Sequence, residues 1–198
     1  MKTEIEVKFL DVNHDELRAK LRELGAVCEQ PMRDMRRAIF ATPEMDEQRN
    51  AYIRVRDEGD KVTVTYKHFA DLSITGASEL ETIVGDFDTM VGIMRATGMR
   101  QRAYQESRRE TWHLGDTEVV LDEWPWLKPY IEIEGETEEG VRSTAELLGF
   151  NWSGAVFGAV TQIYEAEYPG TRAGDIILES EIRFGLPLPD VLKEEIAV

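Results

Sequence analysis

Cysteine is nearly absent. Cys28 stands alone among 198 residues, so no disulfide can form within the chain, as suits a reducing cytoplasm. With three histidines, the chain has too little Cys and His for a structural zinc site. No apolar run approaches the ~20 residues of a membrane helix, and Met1-Lys2-Thr3-Glu4 lacks an apolar signal region. Basic charge is short as well. With 23 Lys and Arg against 39 Asp and Glu, the net charge is −16, and the general surface is a poor match for nucleic acid. The P-loop, the GxGxxG fingerprint and the nucleophile elbow are all missing, which argues against the common phosphate-binding folds. A hydrophobic content of 42% and a charged content of 31% remain, enough for one sizeable globular domain or two small ones.

The strongest pattern lies at the start. In Thr3-Glu4-Ile5-Glu6-Val7-Lys8-Phe9 charged and apolar residues alternate with the period of a β-strand. Glu4, Glu6 and Lys8 share one face; Ile5, Val7 and Phe9 share the other. Alone, such a strand reads as an ordinary half-buried one with a wet face. The Glu-x-Glu pattern returns, however, at Glu79-Leu80-Glu81 and at Glu132-Ile133-Glu134. Each of the three strands precedes a polar cap, an amphipathic helix and a glycine. The first helix carries Leu17, Leu21 and Leu24 and ends at Gly25. The second is capped by Asp86-Phe87-Asp88, runs through Met90, Val91, Ile93 and Met94 and closes near Gly98; its methionines read as core packing. The third is capped by Thr137, carries Val141, Ala145 and Leu148, and stops at Gly149. This repeated grammar predicts many antiparallel strands with a few helices packed outside.

Residues 36–42 read as a further strand stopped by Pro43, and 44–50 as a polar loop. Residues 51–56 and 61–67 flank Asp57-Glu58-Gly59-Asp60 as a hairpin. Arg54 and Arg56 share a face there, as do Thr63, Thr65 and Lys67. A solvated hairpin face explains this; so does a strand that grips an anion with forked donors. Arg100, Arg102, Arg108 and Arg109 form the densest basic cluster and lead through Gly115-Asp116 into a second hairpin ending near Trp124. Residues 130–135 resume as a strand, 151–168 have helical spacing, and Ile176-Ile177-Leu178 suggests a short strand. Cys28 reads as a small core or loop residue, and His14 as a surface or cap residue.

Two inventories emerge, both on strands. The acidic one is Glu4, Glu6, Asp122, Glu132 and Glu134, an oxygen-only set that suits Mg²⁺ or Mn²⁺. The basic one is Lys8, Arg54, Arg56, Lys67 and Arg109. If the strands close into a barrel, these alternating residues line its interior, a costly arrangement unless ligand or water fills it. A polyanion bridged to divalent cations resolves the cost and points to phosphoryl or nucleotidyl transfer.

Taken in order, Glu4-x-Glu6-x-Lys8, Ile53-Arg54-Val55-Arg56, Thr65-Tyr66-Lys67, Glu79-Leu80-Glu81, Arg109 before Trp112, Asp122 and Tyr130-Ile131-Glu132-Ile133-Glu134 resemble the CYTH superfamily. These are the triphosphate tunnel metalloenzymes, which include class IV adenylyl cyclases and thiamine or inorganic triphosphatases. The resemblance implies an α+β fold: a closed eight-stranded antiparallel β-barrel, or tunnel, with helices packed outside. The tunnel domain would span 1–168, and 169–198 would be a C-terminal extension that caps one mouth or pairs with a second copy in a homodimer. By the same resemblance, Glu4, Glu6, Asp122, Glu132 and Glu134 hold Mg²⁺ or Mn²⁺. Lys8, Arg54, Arg56, Lys67 and Arg109 clamp the substrate, Glu79 and Glu81 line the tunnel, and Glu4, Glu6 and Lys8 are the catalytic group. The implied activity is divalent-metal-dependent hydrolysis of a small inorganic, thiamine or nucleoside triphosphate, with no nucleic acid or membrane as partner. Cyclisation of ATP to cyclic AMP and pyrophosphate is the first alternative, and a polyphosphate- or nucleotide-binding module without turnover is the second. The sequence departs from the family pattern in having Ser107-Arg108-Arg109 where Lys-x-Arg is usual. It also has Arg37-Ala38-Ile39-Phe40 where Asp-x-Tyr-Phe is usual, which adds a cation near an entrance.

Overall fold

The N-terminal alternation folds as two strand pieces, β1 (Lys2–Thr3) and β2 (Ile5–Phe9), in the computed structural model, which describes residues 1–48, 50–170, 176 and 181–193. There follow α1 (His14–Glu23), β3 (Val27–Ala41), α2 (Pro43–Gln48), β4 (Ala51–Asp57), β5 (Val62–Phe69) and β6 (Ala77–Val84). Next come α3 (Phe87–Ala96), β7 (Arg100–Leu114), β8 (Thr117–Glu123), β9 (Tyr130–Gly135), α4 (Glu138–Leu148), α5 (Val160–Glu167) and β10 (Glu181–Ile182). The strands form one sheet in the order β1-β6-β5-β4-β3-β7-β8-β9-β2, every neighbouring pair antiparallel, with β10 parallel to β7 off this path.

The α+β class and the antiparallel, helix-backed sheet are as expected; the closed eight-stranded barrel is not. The sheet curls into an open half-barrel. Its two ends are the two halves of the N-terminal segment: β1 pairs with β6, and β2 with β9. Glu4 interrupts the two, its amide donating to the Ala77 carbonyl at 3.1 Å, and the Glu6 amide donates to the Ile74 carbonyl at 3.3 Å.

Period-2 alternation separates the two sheet faces. Val7, Phe9, Val119, Leu121, Ile131 and Ile133 are buried on the outer face against Leu17 and Leu21 of α1 and Val141, Ala145 and Leu148 of α4. Phe87 and Val91 of α3 pack likewise on Ala38, Phe40 and Val55, with Met90 and Met94 partly buried beside them, as core packing requires. Burying each such side chain contributes about 1.5–3 kcal/mol. The polar inner face is thereby left to line a cavity.

Helix ends follow the capping chemistry the sequence offers. Asn13 accepts from the Asp15 and Glu16 amides, Asp86 from the Thr89 amide and Thr137 from the Gly140 amide. Gly149 takes the left-handed conformation, φ 92°, that ends α4. Thr137→Ala should therefore cost about 1 kcal/mol and Thr137→Ser little, read from urea midpoints at constant slope.

Several expectations are corrected. The strand placed at 36–42 begins at Val27, because its first half is exposed and shows no alternation; register shifts flank Gln30 around Pro31, which has no amide to donate. The loop at 44–50 is largely α2: Pro43 stands at its first position, where a missing amide costs nothing, and Thr42 accepts from the Met45 amide at 3.0 Å. Cys28 is exposed on β3 rather than in the core. His14 is buried at the start of α1, with Nε2 3.0 Å from the Tyr130 carbonyl oxygen. Helix in 151–168 is confined to a 3₁₀ turn at Trp152–Gly154 and to α5, and between them Val156 bridges to Lys8. Ile177 and Leu178 lie outside the described residues; Ile176 is helical and buried. Ile176 joins Trp124, Tyr130, Ile163, Tyr164, Ile182 and Leu192 in a separate apolar cluster. None of the described helices is long and apolar enough to cross a membrane.

Candidate functional site

The inner face of the curled sheet encloses a cavity of about 760 Å³. Glu4, Glu6, Lys8, Arg54, Arg56, Lys67, Glu79, Glu81, Arg109, Glu132 and Glu134 all line it, so one cavity gathers the sequence-derived set except Asp122. Asp122 is fully buried behind Arg109, whose Nε and Nη2 grip its two carboxylate oxygens at 2.8 and 2.6 Å.

Antiparallel register makes the charged pairs. Lys8 lies opposite Glu132, Glu6 opposite Glu134, and Arg109 opposite Asp122. The Lys8 ammonium is 2.9 Å from Glu6 and 3.2 Å from Glu132. Lys67, on β5, pairs with Glu4 and lies 3.9 Å from Glu6. Carboxylates thus dominate the β2–β9 wall, and two lysines hold them together.

Guanidinium groups dominate the arc formed by β3 and β4. Arg54 donates to the Thr65 hydroxyl at 3.2 Å and lies 3.6 Å from Glu81, which itself accepts from Thr65 at 2.6 Å. Arg56 pairs with Glu58 at 2.6 Å, and Arg33 reaches the same carboxylate at 3.3 Å. The sequence reading assigned Glu58 only to a hairpin turn; its side chain folds inward and is buried. Arg37 also lines the cavity, a cation foreseen only as a departure from the family pattern, and Trp124, Tyr130 and Glu118 were not singled out for the site.

The ionisation states record this crowding. Burial would raise Glu132, yet Lys8, Arg109 and Lys67 hold it well below the usual carboxylate range. Glu6 moves the other way, because burial and the neighbouring Glu132 and Glu4 outweigh Lys8 and Lys67. Glu4 stays low against burial because Lys67 faces it. Burial pushes the Glu79 carboxyl up to about 7, helped by its hydrogen bond to Glu4 and by Glu4's charge. Burial also lowers Arg56 to about 10, with repulsion from Arg54 adding to it.

Glu79 carries a stability signature. Its raised value means that the folded state binds its proton more tightly than the unfolded one. The contribution is therefore present below the unfolded value of 4.5 and lost as pH rises through about 7. Urea denaturation should show the parent chain losing stability relative to Glu79→Gln between about pH 5 and about pH 8. A gap between the two that stays constant with pH would refute this protonation.

Four of the cavity's carboxylates, Glu4, Glu6, Glu132 and Glu134, could present oxygens to a divalent cation. A second group adjoins them: Glu29, His113 and Glu118 bring ligand atoms within 4.8 Å of one another, with His113 Nε2 2.8 Å from Glu29, and Glu118 stands opposite Glu134 on the neighbouring strand. The cavity can therefore hold a polyanion by its guanidinium arc while its carboxylate wall holds cations.

Comparison with known proteins gives a consistent fold. The CYTH domain family model matches residues 2–151. A candidate adenylate cyclase from Vibrio parahaemolyticus superposes with a TM-score of 0.70 at 13% identity, over 82% of this chain and 97% of its own. The PH1012 protein of Pyrococcus horikoshii OT3 does so with a TM-score of 0.65 at 24% identity, over 77% of this chain and 93% of its own. A Hippeastrum protein, a candidate adenylyl cyclase described as having a dominant triphosphatase activity, gives a TM-score of 0.52 at 14% identity, over 79% and 91%. At these identities the likeness speaks for the fold. No curated protein matches the chain significantly.

Proposed function

The chain belongs to the CYTH domain family, and from that premise we propose that it is a divalent-metal-dependent triphosphatase acting within its charged cavity. The observation that carries this reading is the pairing of two opposite walls in one cavity, carboxylates on β2 and β9 and guanidinium groups on β3 and β4. Anion binding alone would need only the second. The N-terminal segment, bonded to β6 at one end and β9 at the other, supports reading the half-barrel as a working tunnel.

Glu4, Glu6, Glu132 and Glu134 fit Mg²⁺ or Mn²⁺ by their chemistry: hard oxygen donors, with Glu6 raised by burial and by repulsion from its carboxylate neighbours, a tension that a divalent cation relieves. Such an ion supplies charge neutralisation at phosphoryl oxygens and activation of water. The chain's own cations do the rest. Lys8, Arg54, Arg56, Lys67 and Arg109 bind and orient the phosphoryl oxygens, and Asp122 fixes the plane of the Arg109 guanidinium. Glu81 holds Arg54 through Thr65, and Glu79 stabilises the ionised Glu4. In phosphoryl transfer charge spreads over the equatorial oxygens, so donors fixed in advance favour the transition state. Water adds to the terminal phosphorus, and its bond to the bridging oxygen breaks, leaving orthophosphate and the shortened phosphate.

Cyclisation of ATP is the second reading, favoured by the shared fold with candidate adenylate cyclases. Incubation with tripolyphosphate, thiamine triphosphate and ATP, with Mg²⁺ or Mn²⁺, separates the two. Orthophosphate release is expected; cyclic AMP with pyrophosphate would replace this reading by the cyclase. Ligand binding without turnover would replace both by a binding module.

A further inference from the structure

Among the described residues, Arg37 is a cavity cation that the ion pairs of the site leave over. It stands on β3 opposite Arg56 of β4, two pairs along from the Ile39–Arg54 pair and so on the same face, and three guanidinium groups converge on one stretch of the cavity. Like charges directly opposite on adjacent strands repel. Arg54 answers this with Thr65 and Glu81, and Arg56 with Glu58. Among the described residues no carboxylate lies within ion-pair reach of Arg37, and its buried Nε has no hydrogen-bond acceptor. Burial and the repulsion of Arg54 lower it to about 9.

What Arg37 does have is an aromatic support. Its guanidinium carbon lies 3.9 Å from the centroid of the Trp124 ring, which fixes the plane while leaving the donor edge free. This geometry has a second effect. Trp124 would be the platform for stacking a base or another heteroaromatic ring, and Arg37 covers it. The neighbouring Tyr164 spends its hydroxyl on the Pro125 carbonyl at 2.8 Å, and Ile163, Ile176 and Ile182 close the same cluster with apolar surface. This end of the cavity therefore offers a ligand a guanidinium edge in place of an open aromatic face, beside the apolar walls of Ile176 and Ile182.

We propose that Arg37, braced by Trp124, is a specificity-determining cation that takes the end of the ligand remote from the hydrolysed phosphate, where linear inorganic polyphosphate has a free phosphate and a triphosphate ester carries its organic group, and so favours the inorganic chain. This rests on the phosphate-binding role proposed above. A charge-assisted fork to a terminal phosphate would supply the acceptor that the buried Nε lacks among the described residues.

The test is calorimetric titration of the protein in chelator with tripolyphosphate and with ATP, for the parent chain, Arg37→Gln and Arg37→Lys. Arg37→Gln is expected to weaken tripolyphosphate binding about 10- to 100-fold and to lower the preference for tripolyphosphate over ATP about tenfold. Arg37→Lys should recover part of the affinity, because it keeps the charge without the fork. Arg37→Gln should also melt no lower than the parent, since it removes an uncompensated charge. Equal weakening for both ligands, or none, would overturn the assignment. Failure of the catalytic reading is distinct: a chain that binds tripolyphosphate through Arg37 but turns nothing over would retain the selectivity and lose the triphosphatase. Turnover with an unchanged preference in Arg37→Gln would do the reverse.

Discussion

Glu6→Gln is expected to reduce orthophosphate release from tripolyphosphate on the order of 10²–10³-fold, several kcal/mol of lost stabilisation at the phosphoryl oxygens. The substitution keeps size and shape, so the strand and its outer face are undisturbed. Lys8 retains Glu132 at 3.2 Å, and Lys67 retains Glu4. The site thus loses one anionic oxygen donor without leaving a lysine stranded. Initial rates over a range of Mg²⁺ and Mn²⁺ concentrations, with circular dichroism as the control for folding, measure the effect. A fall in rate that added metal partly restores is the expected form. Undiminished turnover would remove Glu6 from the site.

The largest loss of stability is expected from Asp122→Ala, about 3–5 kcal/mol, with the lower end favoured because the Arg109 side chain keeps 20% of its exposure. The arithmetic is one-sided. Asp122 has no access to solvent and spends both oxygens on Arg109. Its removal leaves a desolvated guanidinium whose remaining partner, Glu132, lies 3.8 Å away and is already paired with Lys8. Replacing both residues, as Arg109→Met with Asp122→Leu, should recover much of the loss, because a buried ion pair does little net work once neither charge is present. Urea denaturation of Asp122→Leu, Arg109→Met and the double variant gives the coupling directly. Additive losses would show that the pair is not coupled.

The inner wall was legible in the sequence where strand period and chemistry coincide. Glu4, Glu6 and Lys8 announce their shared face by strict alternation, and the hairpin of Arg54, Arg56 and Lys67 by its turn and β-branched flanks. Helix starts were legible too, since Asn13, Asp86 and Thr137 cap by local bonds. What was hidden depends on distant partners or on absent alternation. The first half of β3 is exposed and irregular, so it carries no period to read. Glu58 looks like any acidic turn residue until the sheet brings Arg33 beside Arg56. The apolar cluster around Trp124 draws on Ile163, Tyr164 and Leu192, far along the chain, and no local window contains it. Thr42-Pro43 is ambiguous in itself, since the same dipeptide ends one element and opens another.

The division of the N-terminal segment between the two ends of the sheet also sets an order of assembly. During synthesis Ile5–Phe9 precedes its ladder partner, Tyr130–Gly135, which emerges only after α1, both central hairpins and α3 have been made. Lys2–Thr3 must wait likewise for Ala77–Val84. Pairings so distant in sequence are late and slow to form, because the loop must close before the contact rewards it. The carboxylate wall that begins the chain is therefore finished last, and the guanidinium arc stands assembled before it.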